Sequence, residues 1–206
     1  MVRSRHSWVG YLNDELDYAS FPAGSLVVDV GCGEGEQLRA LRKAGCVPVG
    51  IEPSPCLASA LREAGYDVVV GKAEALPVEA ASVDGIVCKV VLPYTDERRA
   101  VGEWARVLRP GGRVRACYHG MGYYLSYLLN GETLAQSFYG GRTLLNTAFY
   151  CATGRRLPGW VGDTLFQSSR RLRCYYESCG LELEEEWLSR RFCGSPVFIY
   201  HVLVKL

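Results

Sequence analysis

The chain has 206 residues, of which 49% are hydrophobic and 22% are charged, and its formal net charge is +1. This composition supplies enough apolar side chains for one sizeable core and excludes a generally disordered chain. The near-neutral balance predicts no general attraction to polyanions. No apolar run reaches the ~18–20 residues that a membrane helix requires, so we expect no membrane association.

The chain contains nine cysteines but no C-x-x-C pair, so the sequence does not favour a zinc or disulfide-exchange motif. Several of them, such as Cys88 and Cys117, sit within apolar runs and are interpreted as buried free thiols in a reducing compartment. The N-terminal residues lack the apolar stretch of a secretory signal. These features together predict a cytoplasmic location.

The first two thirds of the chain alternate between two kinds of segment. Aromatic and leucine residues at helical spacing predict a first helix over residues 6–19. Short valine-rich runs then alternate with amphipathic segments that end at glycine. The predicted strands cover residues 26–30, 47–52, 67–73, 83–91 and 112–119, and the predicted helices cover 37–45, 55–65 and 96–108. This alternation indicates βαβ units and a parallel sheet.

The rhythm breaks at residues 120–165, which are rich in glycine and tyrosine. A helix over 165–180 follows, and then alternating polar and apolar residues at 181–192 and 196–206, as expected of an antiparallel pair. We therefore predict an α/β fold: a Rossmann-like three-layer sandwich whose seven-stranded sheet is mostly parallel, with an antiparallel last strand and an inserted cap. Residues 1–206 would form one domain, comprising a helix (6–19), a core (26–117), a cap (118–165) and a closing helix and hairpin (166–206).

The stretch VVDVGCGEG at residues 27–35 carries the strongest local signal. Gly31, Gly33 and Gly35 stand where a strand turns into a helix, and glycine lets backbone amides approach a ligand closely. Asp29 lies within the apolar strand, where a carboxylate is unfavourable unless it is paired. Glu52 ends the second strand, at the place where nucleotide-binding folds use an acid to bind ribose hydroxyls.

Five motifs occur in order: VDVGCGEG, GIEPS, AEALP, SVDGIV and VLRPGGRV. Together they make residues 26–116 resemble a class I S-adenosylmethionine-dependent methyltransferase, of the small-molecule kind called methyltransferase type 11. The resemblance implies S-adenosylmethionine as cofactor and S-adenosylhomocysteine as product. The alternative, a domain that binds NAD or a nucleotide, is less favoured because the third glycine comes one residue too early for G-x-G-x-x-G. The resemblance assigns cofactor binding to Asp29, Gly31, Cys32, Gly33, Gly35, Glu52, Pro53, Ala73, Glu74, Lys89 and Val90.

One position departs from the family pattern. Members of the family commonly carry an acid just before the alanine of the adenine motif, and here that residue is Lys72. Glu74 or a backbone carbonyl would then have to accept a hydrogen bond from the adenine amino group.

Methyl transfer from a sulfonium is an in-line displacement at carbon that needs alignment and exclusion of water more than it needs a base. We therefore expect no metal. Two residues at the ligand edge are candidate catalytic residues. Tyr94 occupies a position where many relatives have a substrate-facing histidine or glutamate, and His119 ends the fifth strand, where it could take a proton. A packing tyrosine and a structural histidine are the alternatives.

Residues 113–173 contain eight arginines and only two acidic residues, together with ten aromatic residues. Arginine suits carboxylates and phosphates, and aromatic faces suit planar rings, so the predicted methyl acceptor is a small molecule that is aromatic, anionic or both. The predicted substrate-binding residues are Tyr118, Tyr123, Tyr124, Arg142 and Arg155, with both arginines beside glycine-rich turns.

Two other functions stay open at this point. Basic residues interleaved with aromatics also occur on nucleic-acid-binding surfaces, so an RNA or other nucleic-acid methyltransferase is one alternative, although the neutral whole chain argues against a nucleic-acid partner. The second is a non-catalytic module that binds S-adenosylmethionine. The acceptor atom and the oligomeric state do not follow from the sequence.

Overall fold

The computed structural model describes residues 16–206. Most of the helix predicted over residues 6–19 therefore lies outside the described residues. Residues 16–19, its predicted end, form a bend and a turn rather than a helix. The side chains of Leu16 and Tyr18 are nevertheless buried against the core.

Strands and helices alternate as far as residue 119, except that no helix separates β3 from β4, and an insertion then precedes the last helix. The strands are β1 (Leu26–Val30), β2 (Val47–Glu52), β3 (Asp67–Val70), β4 (Val83–Lys89), β5 (Leu108–His119), β6 (Leu181–Leu188), β7 (Arg191–Phe192), β8 (Ser195–Pro196) and β9 (Phe198–Lys205). The α-helices are α1 (Glu36–Lys43), α2 (Pro55–Glu63), α3 (Glu97–Val107), α4 (Met121–Asn130), α5 (Leu134–Thr153) and α6 (Ser169–Ser178), and short 3₁₀ helices cover Leu92–Tyr94 and Gly159–Gly162.

The main sheet has seven strands in the order β3-β2-β1-β4-β5-β9-β6. Strands β1 to β5 pair in parallel, whereas β9 is antiparallel to both of its neighbours, β5 and β6. The predicted fold class, a mostly parallel seven-stranded sheet with an antiparallel last strand, is therefore confirmed. The carboxyl ends of β1, β2, β4 and β5 meet at one edge, which is the ligand edge of such sheets.

Each face of the sheet has its own apolar core. One core packs α3 and α6 against the sheet around Trp104 and Tyr176, and the other packs α1 and α4 around Leu41 and Tyr124. Trp104 is fully buried, and burying a large apolar side chain stabilises the fold by about 1.5–3 kcal/mol. Helices therefore cover both faces, which gives the three-layer arrangement.

The insertion between β5 and α6 is mostly helical, with α4 and α5 packed together above the ligand edge. Gly140 permits this packing, because a Cβ there would lie 2.5 Å from the carbonyl oxygen of Tyr124. No helix within residues 16–206 combines the length and the apolar character that crossing a bilayer would require.

Candidate functional site

The turn between β1 and α1 is built on left-handed backbone. Gly31, Gly33 and Gly35 have φ values of 70°, 53° and 77°, which L side chains rarely adopt. At Gly31 a Cβ would also lie 2.4 Å from Cγ2 of Val91, so the neighbouring loop leaves no room for a side chain. These glycines hold the backbone of the turn against the ligand edge of the sheet.

The carboxylate of Glu52 fastens this turn to the end of β2. Its Oε2 accepts a hydrogen bond from the amide of Gly33 at 3.0 Å, and its Oε1 accepts one from the amide of Ser54 at 2.9 Å. The side chain is only 6% exposed. Two backbone donors fix its orientation, so Glu52 can present its remaining lone pairs to a bound hydroxyl group.

Asp29 is a buried acid with an unsatisfied oxygen. Its side chain is 2% exposed, and Oδ2 has no hydrogen-bond partner among the described residues. Burial raises the pKa of Asp29 from 3.8 to about 7, and the nearby Lys89 partly opposes this rise. A cavity of about 340 Å³ adjoins it, lined by Asp29, Gly31, Cys32, Glu34, Glu36, Gln37, Arg39 and Lys89. An orphaned carboxylate at a cavity of this kind fits a cationic or hydrogen-bond-donating ligand group.

At the end of β4, Lys89 lines the cavity and pairs with Glu36, and the next residue, Val90, has a strained backbone. Nζ of Lys89 lies 3.1 Å from Oε2 of Glu36 and 5.6 Å from the ring centroid of Tyr18. Val90 has φ of 60°, an uncommon conformation for a β-branched residue. Backbone strain of this kind is concentrated at ligand-binding sites, which supports the placement of Lys89 and Val90 there.

The adenine motif is arranged differently from its family pattern. Ala73 is buried, whereas Oε1 of Glu74 accepts a hydrogen bond at 3.0 Å from the amide of Asp96, next to the start of α3. Lys72, at the position of the usual acid, pairs through its backbone with Ala75. Glu74 is thus already engaged in holding a loop, so a backbone carbonyl is the better candidate for the adenine amino group.

Pro53 and Cys32 are the two remaining residues predicted to bind the cofactor. Pro53 is exposed just beyond β2, whereas Cys32 is buried in the glycine turn. Burial raises the pKa of the Cys32 thiol to about 12, so the thiol stays protonated and contributes packing rather than charge.

His119 lies at the end of β5 in an aromatic environment made by the cap. Its ring stacks on Tyr123 with a centroid separation of 3.6 Å, and Nδ1 lies 3.3 Å from the hydroxyl oxygen of Tyr124. The residue is 5% exposed, and burial lowers the pKa of His119 to about 3. The imidazole is therefore neutral at ordinary pH and has little tendency to gain a proton.

Tyrosine hydroxyl groups join the loop after β4 to the cap. The hydroxyl oxygens of Tyr94 and Tyr139 lie 3.2 Å apart, and those of Tyr123 and Tyr127 lie 3.3 Å apart. Burial raises the pKa values of Tyr94 and Tyr123, so both stay protonated. We use the name tyrosine cluster for the group formed by these side chains and His119: Tyr94, Tyr123, Tyr124, Tyr127, Tyr139 and His119.

Two members of this cluster, Tyr127 and Tyr139, were not among the predicted site residues. Tyr127 follows Tyr123 by four residues on α4, so helical spacing places the two rings together. Tyr139 is on α5, and nothing in the sequence indicates which face of that helix turns toward Tyr94.

The assignment of Tyr118 to the substrate site is corrected by the structure. Consecutive residues of a strand point to opposite faces of a sheet, so Tyr118 and His119 cannot face the same layer. Tyr118 is fully buried on the α6 side, where its hydroxyl oxygen lies 3.0 Å from that of Tyr176. It is a core residue.

Several arginines of the cap and of α6 have partners among the residues that the structure describes. Arg142 lies within α5 rather than beside a turn and pairs with Asp163 at 2.5 Å. Arg171 pairs with the buried Glu97 at 2.8 Å, and Arg156 donates to the carbonyl oxygen of Asp163 at 3.2 Å. Arg155 is exposed after the end of α5, and its side chain makes no ion pair within residues 16–206.

Fold and site together define a class of protein: a Rossmann-like domain with a glycine turn and two buried acids at the ligand edge of the sheet, next to a helical cap. Residues 28–116 match the protein family described as Methyltransferase domain. This match identifies residues 28–116 as resembling methyltransferase domains of the class that uses S-adenosylmethionine as its cofactor.

Curated relatives match about half of the chain. An uncharacterized methyltransferase of Mycobacterium tuberculosis is 35% identical over 106 residues, which are 50% of this chain and 44% of the relative. The tRNA (carboxymethyluridine(34)-5-O)-methyltransferase alkbh8 of Xenopus tropicalis is 38% identical over 114 residues, 53% of this chain and 18% of that protein. The chain thus spans less than half the length of these relatives.

Solved structures share the fold across nearly the whole chain. A methyltransferase from Methanosarcina mazei superposes with a TM-score of 0.66 at 18% identity, covering 90% of this chain and 94% of that one. A geranyl diphosphate methyltransferase in complex with S-adenosylmethionine gives a TM-score of 0.64 at 17% identity, covering 95% and 83%. The family match ends at residue 116, before the cap, so the family assignment does not identify the acceptor.

Proposed function

We propose that this protein transfers the methyl group of S-adenosylmethionine to a small-molecule acceptor held between the ligand edge of the sheet and the cap. The observation that carries the proposal is the glycine turn fastened by Glu52 beside the orphaned carboxylate of Asp29. Together these residues supply backbone amides at the ligand edge, the Glu52 carboxylate as an acceptor for hydroxyl groups, and the Asp29 carboxylate, whose Oδ2 has no hydrogen-bond partner among the described residues.

The residues present fit S-adenosylmethionine group by group. Glu52 is suited to accept from the two ribose hydroxyls, because its orientation is already fixed by Gly33 and Ser54. Asp29 is suited to accept from the methionine ammonium, which would satisfy its free Oδ2. Ala73 would lie against the adenine ring, and Lys89 and Val90 would border the cavity near the sulfonium.

When bound, S-adenosylmethionine would supply a methyl carbon on a positively charged sulfur, and the electron pair of the carbon–sulfur bond would stay on sulfur as the methyl group passes to the acceptor atom. The protein's part is to align the acceptor and exclude water. An acceptor hydroxyl must also lose its proton, to solvent or to a nearby base.

His119 is better suited to orient an acceptor than to store its proton. An imidazole whose pKa is about 3 is a weak base at neutral pH. Stacking on Tyr123 and the contact with Tyr124 fix the ring, so Nε2, the nitrogen not engaged with Tyr124, can accept a hydrogen bond from a correctly placed group when the proton is on Nδ1, and can donate one when it is on Nε2. Tyr94, half exposed at the rim of the tyrosine cluster, would donate to the same acceptor.

The tyrosine cluster favours an aromatic acceptor over an anionic one. Its faces suit a planar ring, and its neutral hydroxyl groups can donate or accept. Arg142 and Arg171 form ion pairs with Asp163 and Glu97, so their charges are not free for a carboxylate or phosphate. Arg156 donates only to backbone carbonyl oxygens, and Arg155 makes no ion pair within residues 16–206, so these two arginines would contribute charge to binding.

RNA is the second candidate acceptor, and the similarity to the tRNA methyltransferase alkbh8 of Xenopus tropicalis supports it. That similarity covers 53% of this chain. An RNA-binding surface requires free basic side chains along a groove, and the ion pairs of Arg142 and Arg171 reduce that charge in the cap.

Isothermal titration calorimetry with S-adenosylmethionine, S-adenosylhomocysteine and NAD in parallel tests the cofactor. Binding of both adenosyl compounds without NAD supports the proposal, and binding of NAD alone would refute it. Methyl-labelled S-adenosylmethionine is then supplied with either a phenolic and carboxylate metabolite mixture or total tRNA. Label in a small molecule supports the proposed acceptor class and label in tRNA supports the alternative. Binding without transfer to either would indicate a non-catalytic module.

A further inference from the structure

Helix α5 exposes a narrow apolar stripe. Leu134, Phe138, Leu145 and Phe149 follow one another at intervals of four and seven residues, which places them on one face of the helix. Their exposed fractions are 91%, 54%, 62% and 38%. Apolar side chains on this face would ordinarily pack against another element of the chain, and here they face outward.

Neighbouring side chains widen the stripe into a patch. The ring of Trp160, 63% exposed, lies 5.5 Å from that of Phe138. Leu128, 39% exposed, reaches the position of Gly141, where a Cβ would lie 3.4 Å from its Cδ1. We call these six residues the α5 patch: Leu128, Leu134, Phe138, Leu145, Phe149 and Trp160.

The size of the α5 patch matches a protein interface. At roughly 200 Å² for a large apolar side chain, the exposed fractions amount to on the order of 700 Å². This is larger than most apolar patches on monomers, which reach about 300–600 Å², and is close to the roughly 800 Å² per partner of a standard interface.

The order of residues along α5 is self-complementary. About a two-fold axis near Gly141, an antiparallel second copy would place Phe149 opposite Leu134 and Leu145 opposite Phe138. Each large aromatic ring would then meet a leucine. The absence of a side chain at Gly141 would allow the two helices to approach closely at the axis.

Charged residues at the two ends of α5 also suit the two-fold axis near Gly141. Glu132 is exposed just before α5 and Arg155 just after it, and neither side chain forms an ion pair within residues 16–206. In the antiparallel arrangement each Glu132 comes within reach of Arg155 of the other copy. Arg142, near the axis, is neutralised by Asp163, so two copies of it would not repel strongly.

We propose that the α5 patch is the surface through which two copies of this chain associate, with their α5 helices antiparallel. Sedimentation equilibrium of the full chain should show a reversible dimer at micromolar concentration. Phe138→Glu and Leu145→Glu should each raise the dimer Kd by about tenfold or more, because each buries a charge in the centre of the patch. Leu206→Glu, at a residue 74% exposed on the opposite edge of the sheet, is the matched control and should not change the Kd.

A charge exchange tests the orientation of the two copies. Glu132→Arg and Arg155→Glu should each weaken the dimer, and the double variant should restore it. A dimer that tolerates Phe138→Glu and Leu145→Glu would refute the use of this patch. A wild-type chain that stays monomeric over the whole concentration range would refute association.

Discussion

Oε2 of Glu52 lies 3.0 Å from the amide nitrogen of Gly33 and accepts its hydrogen bond, so the end of β2 fixes the turn that follows β1. A second bond, from the amide of Ser54 to Oε1 at 2.9 Å, occupies the other carboxylate oxygen. The same side chain therefore orders the glycine turn and is the acceptor that we propose for the ribose hydroxyls.

Replacing Glu52 with alanine should weaken S-adenosylhomocysteine binding by about 1–3 kcal/mol, the loss expected for hydrogen bonds to a charged group. Glu52→Gln should weaken it less, because the amide oxygen still accepts one of the two backbone bonds. Calorimetric titration measures both. Glu63→Ala, on the exposed side of α2, is the control and should bind like the parent. Equal affinities for all four proteins would place the cofactor elsewhere.

Asp29 should make cofactor binding depend on pH. Its raised pKa, about 7, means that the folded protein without ligand holds a proton there below that pH. A ligand ammonium favours the carboxylate, so binding should tighten as pH rises from about 6 to 8 and should release a proton. Calorimetry in buffers of different ionisation enthalpy measures that proton. Asp29→Asn should bind more weakly and abolish the release, and an unchanged release would assign it to another group.

The same raised pKa predicts a cost to stability. An unfolded aspartate ionises near pH 3.9, so the folded state loses stability as pH rises from about 4 through 7. In the absence of ligand, Asp29→Asn should therefore raise the melting temperature more at pH 8 than at pH 4.5. An equal effect at both pH values would mean that Asp29 is not protonated in the folded protein.

His119 should affect turnover and leave cofactor affinity almost unchanged. Once an acceptor is known, His119→Ala should lower kcat by roughly tenfold to a hundredfold, because the acceptor loses an orienting group. The Kd for S-adenosylhomocysteine should stay within about twofold. Because the pKa of His119 is about 3, it should add no inflection to the kcat profile between pH 5 and 9. Unaltered kcat would make His119 a purely structural residue.

The sequence allowed β1 and β2 to be predicted with their observed bounds, because each is a buried apolar run with turn residues on both sides. It failed in the cap for a physical reason. Gly140 and Gly141 suggested a turn, yet they lie within the helix α5, where Gly140 allows close contact with α4. Glycine required for packing cannot be told from glycine required for a turn by sequence alone.

For the candidate site too, some features could be predicted from the sequence and others could not. The positions of Asp29 and Glu52 follow from local pattern, because parallel strands bring their ends to one edge. The assignment of both Tyr118 and His119 to the cap contradicted strand alternation and could have been avoided. The partners of Arg142 and Arg171 come from distant parts of the chain, so no local pattern reveals that their charges are neutralised.

A buried hydrogen-bonded chain should make the stability of the protein sensitive to acid. The hydroxyl of Tyr176 lies 2.9 Å from Nδ1 of His201, whose Nε2 lies 3.0 Å from Oε2 of Glu186. Burial lowers the pKa of His201 to about 4, so its contribution is present above pH 6.5 and is lost as pH falls toward 4. Urea unfolding at pH 7 and pH 4.5 measures this loss.

Because Asp29 titrates with the opposite effect over this range, the loss should be clearest in the Asp29→Asn background. There the free energy of unfolding should fall between pH 6.5 and 4.5. Tyr176→Phe should cost about 1–3 kcal/mol at pH 7, because Nδ1 of His201 loses its buried partner. Tyr175→Phe, on the partly exposed side of α6, should cost less than about 0.5 kcal/mol. Stability that does not change with pH in the Asp29→Asn background would mean that folding does not shift the pKa of His201.

The ion pair between Arg171 and Glu97 should be important for attaching α6 to α3. Nη2 of Arg171 lies 2.8 Å from Oε1 of Glu97, and the Glu97 side chain is 1% exposed. Arg171→Leu would leave a buried carboxylate without its partner, so we expect a loss of about 3–5 kcal/mol at pH 7. The matched control is Arg113→Leu, whose partner Glu184 is 32% exposed and whose removal should cost about 1 kcal/mol or less. Chemical denaturation at pH 7 compares the two. Adding Glu97→Gln to Arg171→Leu should recover much of the lost stability, because the uncompensated charge is then removed. Equal losses for Arg171→Leu and Arg113→Leu would show that the Glu97 carboxylate is not isolated from solvent.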